Sequence, residues 1–150
     1  MTEIKNYIEK YKSVNPDELV KAYYDIQRRL TRAIAQGIDV ALMEYSELDE
    51  NVQGEIYLWS VDLSSYSNNI AFMYVTEEEE VETFFTYKLP DDALLECAAV
   101  LEILKPSKRL NVEQEISHWF KDSVNIHKIR DITGVDGMNC FYNGEKFAEY

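Results

Sequence analysis

The middle of the chain contains three strand-like runs in direct succession, and these runs constrain the fold more than any other feature. Residues 55–63 (EIYLWSVDL) and 81–88 (VETFFTYK) alternate between two faces, and residues 70–75 (IAFMYV) form a short apolar run. Such patterns are typical of half-buried and fully buried β-strands. The connecting residues 64–69 (SSYSNN) have the composition of a turn. With no helical pattern between them, the runs predict an antiparallel meander.

Helical patterns precede the strands. Asn15 is a suitable N-cap and Pro16 suits the first helical position, so a helix is predicted to begin there, after a first helix in residues 2–12. Gly37 is expected to end this second helix in a left-handed conformation. Residues 38–45 (IDVALMEY) alternate weakly and favour a fourth strand, followed by an acidic loop at residues 47–54. The apolar stripes of the two helices are Ile4, Tyr7, Ile8 and Tyr11, and Leu19, Tyr23, Ile26, Leu30 and Ala33.

The C-terminal third combines helices with a hairpin. Residues 88–106 and 111–120 have helical spacing, with Pro106 ending the first helix and Asn111 capping the second. Residues 124–132 (VNIHKIRDI) are interpreted as a strand. Asn143-Gly144 lies between two short alternating runs and predicts a hairpin with a type I′ turn.

These elements predict an α+β fold: an antiparallel β-meander of three to four strands with N-terminal helices, two later helices and a C-terminal β-hairpin. A chain of 150 residues is a suitable length for a single domain with its own hydrophobic core. Within residues 1–150 we distinguish a basic N-terminal helical part (1–36), an acidic strand-rich centre (37–104) and a neutral helix-hairpin part (105–150).

Charge is segregated along the chain. The net charge is −13, but residues 1–36 carry +2 and residues 105–150 carry zero. Residues 37–104 contain sixteen acidic residues and a single base, Lys88. The carboxylates of this segment must therefore be solvated, paired with the basic N-terminal helix, or presented to a partner. Their densest point is the run Glu77–Glu80.

The composition argues against several classes of function. Binding of nucleic acids or anionic membranes requires a positive surface, so we expect no direct contact with either. The N-terminus is charged throughout and lacks the apolar core of a secretory signal, and the longest apolar run, residues 70–75, is too short to span a bilayer. The two cysteines, Cys97 and Cys140, form no CxxC pair or disulfide framework. We expect a cytoplasmic protein.

No motif points to catalysis, a metal or a cofactor. Glycine-rich phosphate loops are absent, and neither His118 nor His127 belongs to an HxxxH or HxxE pattern of metal ligands. The glutamate run lacks the spacing and the glycine of a calcium-binding loop. A small hydrolase that uses acidic residues is a further alternative, with Asp62 as the isolated acid in an apolar strand. We expect no catalytic residues, no metal ligands and no cofactor.

The remaining pattern favours an interaction face. Tyr45, Tyr57, Tyr66, Tyr74 and Tyr87 all fall within the acidic centre, and tyrosine is enriched at protein interfaces. We hypothesise a small acidic inhibitor whose carboxylate- and tyrosine-rich face occupies the basic surface of a nucleic-acid-handling protein or toxin. In size and charge, though not in any motif, the chain is similar to anti-restriction and anti-CRISPR proteins, some of which mimic DNA, and to toxin immunity proteins. The predicted partner-binding residues are Asp49, Glu50, Glu55, Glu77, Glu78, Glu79, Glu80, Glu82, Tyr57 and Tyr87.

An alternative is a homo-oligomeric regulatory or structural module without catalysis. The apolar stripe in residues 19–33 has heptad-like spacing, which would allow helix pairing in a homodimer. The same stripe would equally suit packing on the sheet of its own domain. What this face of the helix touches therefore separates the two interpretations.

Overall fold

The computed structural model describes residues 2–64 and 67–150, and within them it contains six α-helices and five β-strands. The helices are α1 (Thr2–Tyr11), α2 (Pro16–Ser46), α3 (Glu50–Glu55), α4 (Ala93–Leu104), α5 (Val112–Lys121) and α6 (Ile126–Thr133), with a short 3-10 turn at Lys105–Ser107. The strands are β1 (Ile56–Leu63), β2 (Asn69–Thr76), β3 (Val81–Lys88), β4 (Met138–Tyr142) and β5 (Glu145–Glu149). The protein is thus a mixed α/β fold.

The five strands form one mixed sheet in the order β3-β2-β1-β4-β5. β1, β2 and β3 pair antiparallel as predicted, and so do β4 and β5. β4, however, pairs parallel with β1, so the expectation of a purely antiparallel meander is wrong. The physical reason is the connection: α4, α5 and α6 carry the chain back across the molecule, and a parallel pair requires such a long crossover.

Helix α2 is longer than the sequence pattern predicts. Its start is confirmed, because the Asn15 side chain accepts a hydrogen bond from the backbone N–H of Asp17 and Pro16 is the first helical residue. Its predicted end at Gly37 is wrong, as is the strand predicted at residues 38–45, because the helix continues to Ser46. Gly37 lies against the Tyr87 ring, and a Cβ atom there would stand 2.8 Å from Tyr87 Cδ2. The glycine therefore permits close packing of α2 on β3.

Two shorter segments also differ from expectation. Residues 50–55 form α3 instead of a loop, and the Asp49 side chain caps it by accepting from the N–H of Asn51. Residues 126–133 form α6 instead of a strand. Asn125 caps this helix through the N–H of Lys128, and Gly134 ends it with a φ of 71°. In each case a local side-chain cap favours the helix over an extended chain.

The other predicted elements are confirmed. Helices α4 and α5 are present, and Asn111 caps α5 by accepting from the N–H of Gln114. Asn143 and Gly144 have φ values of 52° and 79°, as a type I′ turn between β4 and β5 requires. Of the predicted turn at residues 64–69, Ser65 and Tyr66 lie outside the described residues.

The helices pack on one face of the sheet. Trp59, Val61 and Leu63 of β1 point into the core that α2 and its neighbours form, and all three are fully buried. Between α1 and α2 lies α4, which is apolar on nearly all sides and correspondingly buried. Within residues 2–64 and 67–150, no helix has the length and apolar character needed to cross a bilayer.

The opposite face of the sheet has no helix packed on it in the described part of the chain, and we call it the open face. It presents the alternate residues of the strands: Leu58, Ser60 and Asp62 of β1, Met73 and Val75 of β2, Val81 of β3, and Asn139 and Phe141 of β4. Period-two alternation thus separates a buried face from a face that a ligand can reach.

Candidate interaction site on the open face and its acidic end

The fold gathers the acidic residues of the centre at one end of the sheet. Helix α3 leads directly into β1, and Ile56 at the start of β1 pairs with Thr76, the last residue of β2 before the Glu77–Glu80 turn. The C-terminal end of α2 lies at the same end, where the Tyr45 ring contacts the rings of Trp59 and Phe84. We call the following ten residues the acidic end: Glu44, Glu47, Asp49, Glu50, Glu55, Glu77, Glu78, Glu79, Glu80 and Glu82.

The carboxylates of the acidic end are not paired with cations. Among the described residues, each ion pair lies elsewhere. The basic N-terminal part neutralises other acids of the centre: Arg29 pairs with Asp91 and with Glu96, in each case at 3.3 Å. The carboxylates of the centre were expected to be solvated, paired with the basic N-terminal helix, or presented to a partner. Asp91 and Glu96 are paired in this way. The acidic end is exposed apart from the half-buried Glu44.

One carboxylate of the acidic end is held by a tyrosine. The Tyr74 hydroxyl donates a hydrogen bond of 2.5 Å to Glu82 Oε2. This hydrogen bond to a charged acceptor, together with burial of the phenol, raises the pKa of Tyr74 to about 12. Tyr74 therefore remains neutral and keeps donating, which orients Glu82 at the edge of the sheet.

Most of the sequence-predicted site residues are brought together. Asp49, Glu50 and Glu55 on α3, the Glu77–Glu80 turn and Glu82 on β3 all belong to the acidic end, and Tyr57 lies next to them at the start of β1, 46% exposed. Tyr87 does not: it pairs with Ile70 at the far end of β3 and packs on the helix side against Gly37. Tyr45 and Tyr74 are buried, and Tyr66 lies outside the described residues.

A groove runs along the open face from the acidic end, with a volume of about 490 Å³. Among the described residues, its lining combines apolar side chains with a few polar ones and contains two acids, Asp62 and Glu79, but no lysine or arginine. Val81 and Tyr57 line the groove where it adjoins the acidic end, and Val81 is 58% exposed. The lining residues are Tyr57, Leu58, Ser60, Asp62, Met73, Val75, Glu79, Val81, Asn139, Phe141 and Gly144.

Two of the side chains that line the groove each have an oxygen atom without a hydrogen-bond donor among the described residues. Within the described part of the chain, no group donates to Asp62 Oδ1 or to Asn139 Oδ1, although both atoms are shielded from solvent. They belong to neighbouring strands, because Asp62 pairs with Phe141 and Asn139 pairs with Ser60. Partial burial raises the pKa of the Asp62 carboxyl, because desolvation disfavours its charged form.

Sequence reasoning found Asp62 as an isolated acid but missed Asn139 and Phe141. The signal that could have found them is the alternation in residues 138–142, which places both side chains on the same face. That pattern did not show which strand would lie next to β4. The missing information was the parallel pairing with β1, which is not encoded locally.

Two carboxylates, those of Asp62 and Glu79, line the groove. They belong to different parts of the groove, because Asp62 lies six residues along β1 from Ile56, which pairs beside the turn that contains Glu79, and six residues of strand span about 20 Å. Hydrolysis of a glycosidic bond by two carboxylates needs a spacing of roughly 5–10 Å. In the described residues, no three histidine, cysteine or acidic side chains are arranged to hold a metal ion.

The histidines and cysteines lie outside the groove. His118 Nδ1 is 3.4 Å from Glu115 Oε2 on the same helix, and His127 is exposed on α6. Both cysteines are buried and free, and burial raises the pKa of Cys140 to about 12 and that of Cys97 well above its ordinary value. Thiols in such surroundings stay protonated and are poor nucleophiles.

The apolar stripe of α2 is occupied by the protein's own core. Leu19, Tyr23, Ile26, Leu30 and Ala33 are all buried, and the Tyr23 hydroxyl accepts a 2.7 Å hydrogen bond from Trp119 Nε1 on α5. In this structure the stripe is therefore not available for helix pairing with a second copy of the chain.

No protein-family model matches the chain, and comparisons with curated proteins and with solved structures likewise give no match. The site must therefore be interpreted from its own chemistry.

Proposed function

We propose that the protein is a small acidic inhibitor that binds a basic protein surface with its acidic end and the adjoining open face. The observation that carries this proposal is the gathering of ten carboxylates at one end of the sheet, none of which is paired with a cation of the described residues. A field of one sign over such a surface steers an oppositely charged partner and raises its association rate by about 10- to 1000-fold.

The distribution of ion pairs supports a role beyond solubility. On other surfaces several acids of the chain are paired with cations, as between Lys128 and Asp39 at 2.5 Å and between Arg109 and Asp17. A protein that needed charge only to stay dissolved would have no reason to segregate it, because interspersed signs serve solubility as well. The exposed Tyr57 and Val81 add apolar contact area next to the carboxylates. Aromatic and apolar anchors of this kind supply binding energy in protein interfaces.

The partner implied is a protein whose own task requires a positive surface. Proteins that handle nucleic acids and nuclease toxins have such surfaces, because they must neutralise phosphates. Occupation of that surface by carboxylates would exclude the nucleic acid, which is the inhibitory step we propose. Inhibition by this occupation needs no catalytic group on the protein.

The proposal can be tested by retention and kinetics. The immobilised protein is exposed to a source lysate, retained proteins are identified, and the association rate of the retained protein is measured between about 0.05 and 0.5 M NaCl. We expect a basic partner whose association slows at least tenfold over this range, since the Debye length shortens from about 14 to 4 Å. We also expect the partner's nucleic-acid-binding or nuclease activity to fall when the complex forms.

A matched pair of variants locates the surface. The triple substitution Glu77→Gln, Glu78→Gln and Glu80→Gln removes three charges from the acidic end, and should slow association about three- to tenfold. The control triple Glu102→Gln, Glu113→Gln and Glu145→Gln removes the same charge from a surface that also contains Lys105. It should change the rate less than about twofold. The proposal would be overturned if both triple variants slowed association equally. It would also be overturned if the association rate did not depend on the salt concentration.

A further inference from the structure

The groove on the open face is lined by two side chains whose oxygen atoms find no hydrogen-bond donor in the described part of the chain. Asp62 Oδ1 and Asn139 Oδ1 are both acceptors, both are shielded from solvent, and no described residue donates to either atom. Leaving a buried acceptor unpaired costs about 1–3 kcal/mol. An incoming donor would therefore gain by satisfying them.

The charge of the groove selects the kind of donor. The described residues that line it include the carboxyl groups of Asp62 and Glu79 and no lysine or arginine, so the groove favours a cation over a neutral or anionic group. A bare Ca²⁺ ion takes about six to eight oxygen ligands, and one carboxylate with one amide oxygen falls short of that set. The cation should instead be an organic one that brings its own apolar portion.

The apolar walls favour a guanidinium group over an ammonium group. Leu58, Met73, Val75 and Phe141 line the groove beside the two acceptors. An arginine side chain can lay its aliphatic stem along such residues and stack its flat head on an aromatic ring. Its fork of several N–H groups can reach acceptors on two neighbouring strands, whereas a lysine ammonium is compact and strongly hydrated.

From these observations we infer that the groove is a binding site for an arginine side chain carried by the basic partner, with Asp62 and Asn139 as its acceptors. This inference rests on the proposed function and specifies the partner: its basic surface must project one arginine along the open face while other cations meet the acidic end. The acidic end then attracts the partner, and the groove holds it.

The inference can be tested without the partner. The ¹⁵N-labelled protein is titrated with the peptide acetyl-Ala-Arg-Ala-amide, and the backbone amide shifts of residues 58–62 and 138–142 are followed. A matched peptide carries citrulline, which has nearly the shape of arginine but no charge, and a third carries lysine. We expect saturable shifts in these two strands with the arginine peptide, at least tenfold weaker binding of the citrulline peptide, and intermediate binding of the lysine peptide.

Variants test the assigned acceptor. Asp62→Asn should weaken the arginine peptide at least tenfold, and the variant should fold, because it removes a carboxylate that burial disfavours. Val81→Lys is a second variant that places a cation at the exposed rim of the groove, and should weaken the peptide at least fivefold. Shifts confined to the Glu77–Glu80 turn, equal binding of the citrulline peptide, or unchanged binding by Asp62→Asn would overturn the inference.

The experiment separates this inference from the proposed function. The Glu77, Glu78 and Glu80 triple variant, at about 0.15 M NaCl, should bind the arginine peptide within about twofold of the wild type, because screening limits these exposed charges. If the arginine peptide binds as expected while the triple variant associates with the partner normally, the proposed function fails alone. If the triple variant slows the partner but the peptide does not bind the groove, the groove inference fails alone.

Discussion

Glu79 combines a dense negative charge with an unusual backbone conformation. Its φ of 64° lies in the left-handed region, and the turn is closed by backbone hydrogen bonds of 3.0 Å from Glu79 N–H to Thr76 O and from Thr76 N–H to Glu80 O. For an L-residue other than glycine, this conformation costs roughly 1–2 kcal/mol. A glutamate at this position is thus disfavoured by the backbone, and by the charges of its neighbours.

We predict that Glu79→Gly raises the free energy of unfolding by about 1 kcal/mol, because glycine adopts the left-handed conformation without the penalty of a Cβ atom. Glu79→Gln is the matched variant, since it removes the same charge and retains the Cβ atom. Urea unfolding of both variants isolates the backbone contribution. Equal stability of the two variants would show that charge, and not conformation, governs this turn.

The sequence predicts part of the candidate site. Glu77–Glu80, Asp49 and Glu55 were identified by charge density alone, because charge is a property of residue type and needs no structure. Asn139 was not identified, because an asparagine in a short strand acquires a role only through the strand beside it. Charge is therefore predictable from composition, whereas the unpaired acceptors of the groove depend on tertiary pairing.

The packing of α2 on β3 depends on a contact that outweighs helix propensity. Gly37 lies within the helix, where alanine is favoured by about 1 kcal/mol. Yet a Cβ atom at this position would stand 2.8 Å from the half-buried Tyr87 ring, closer than van der Waals contact allows. Gly54 in α3 has no such neighbour within 4 Å.

We predict opposite effects of one substitution at these two glycines. Gly37→Ala should lower the free energy of unfolding by about 1–3 kcal/mol, because overpacking shifts the helix or the ring. Gly54→Ala should raise it by up to about 1 kcal/mol. Thermal and urea unfolding measure both changes, and Tyr87→Val should restore much of the loss in the Gly37→Ala background. A stabilising Gly37→Ala would contradict the close approach.

The elements were predictable where local signals decide them. The three central strands follow from alternation, and the β4–β5 hairpin follows from Asn143-Gly144. Gly37 misled the prediction because glycine is common at helix ends, and only the Tyr87 contact explains why the helix continues. The parallel pairing of β1 with β4 is a long-range contact that no local pattern contains.

Because no cation of the described residues pairs with the acidic end, we expect the stability of the protein to depend on salt. Between about 0.01 and 0.15 M NaCl the Debye length falls from about 30 to 8 Å, which screens repulsion among neighbouring carboxylates. We predict that the unfolding midpoint rises by several degrees over this range, measured by circular dichroism. The reason for this size is that repulsion between neighbouring like charges lowers the free energy of unfolding by roughly a few tenths of a kcal/mol per pair.

The same triple variants identify the source of the salt effect. Replacement of Glu77, Glu78 and Glu80 by glutamine should raise the midpoint at low salt and reduce its response to added salt. The control triple at Glu102, Glu113 and Glu145 should leave most of the response intact. If both triple variants reduce the response to salt equally, the response is caused by the net charge of the protein and not by the acidic end.

The groove has its two walls on parts of the chain that are far apart in sequence, since Asp62 belongs to β1 and Asn139 to β4. The acidic end, by contrast, lies wholly within residues 44–82. A local opening of the β4–β5 hairpin would therefore dismantle one wall of the groove and leave the long-range field unchanged. Capture and residence time would then respond to different changes in the molecule: mutations near the turn would alter how fast a complex forms, and mutations in the hairpin would alter how long it lasts.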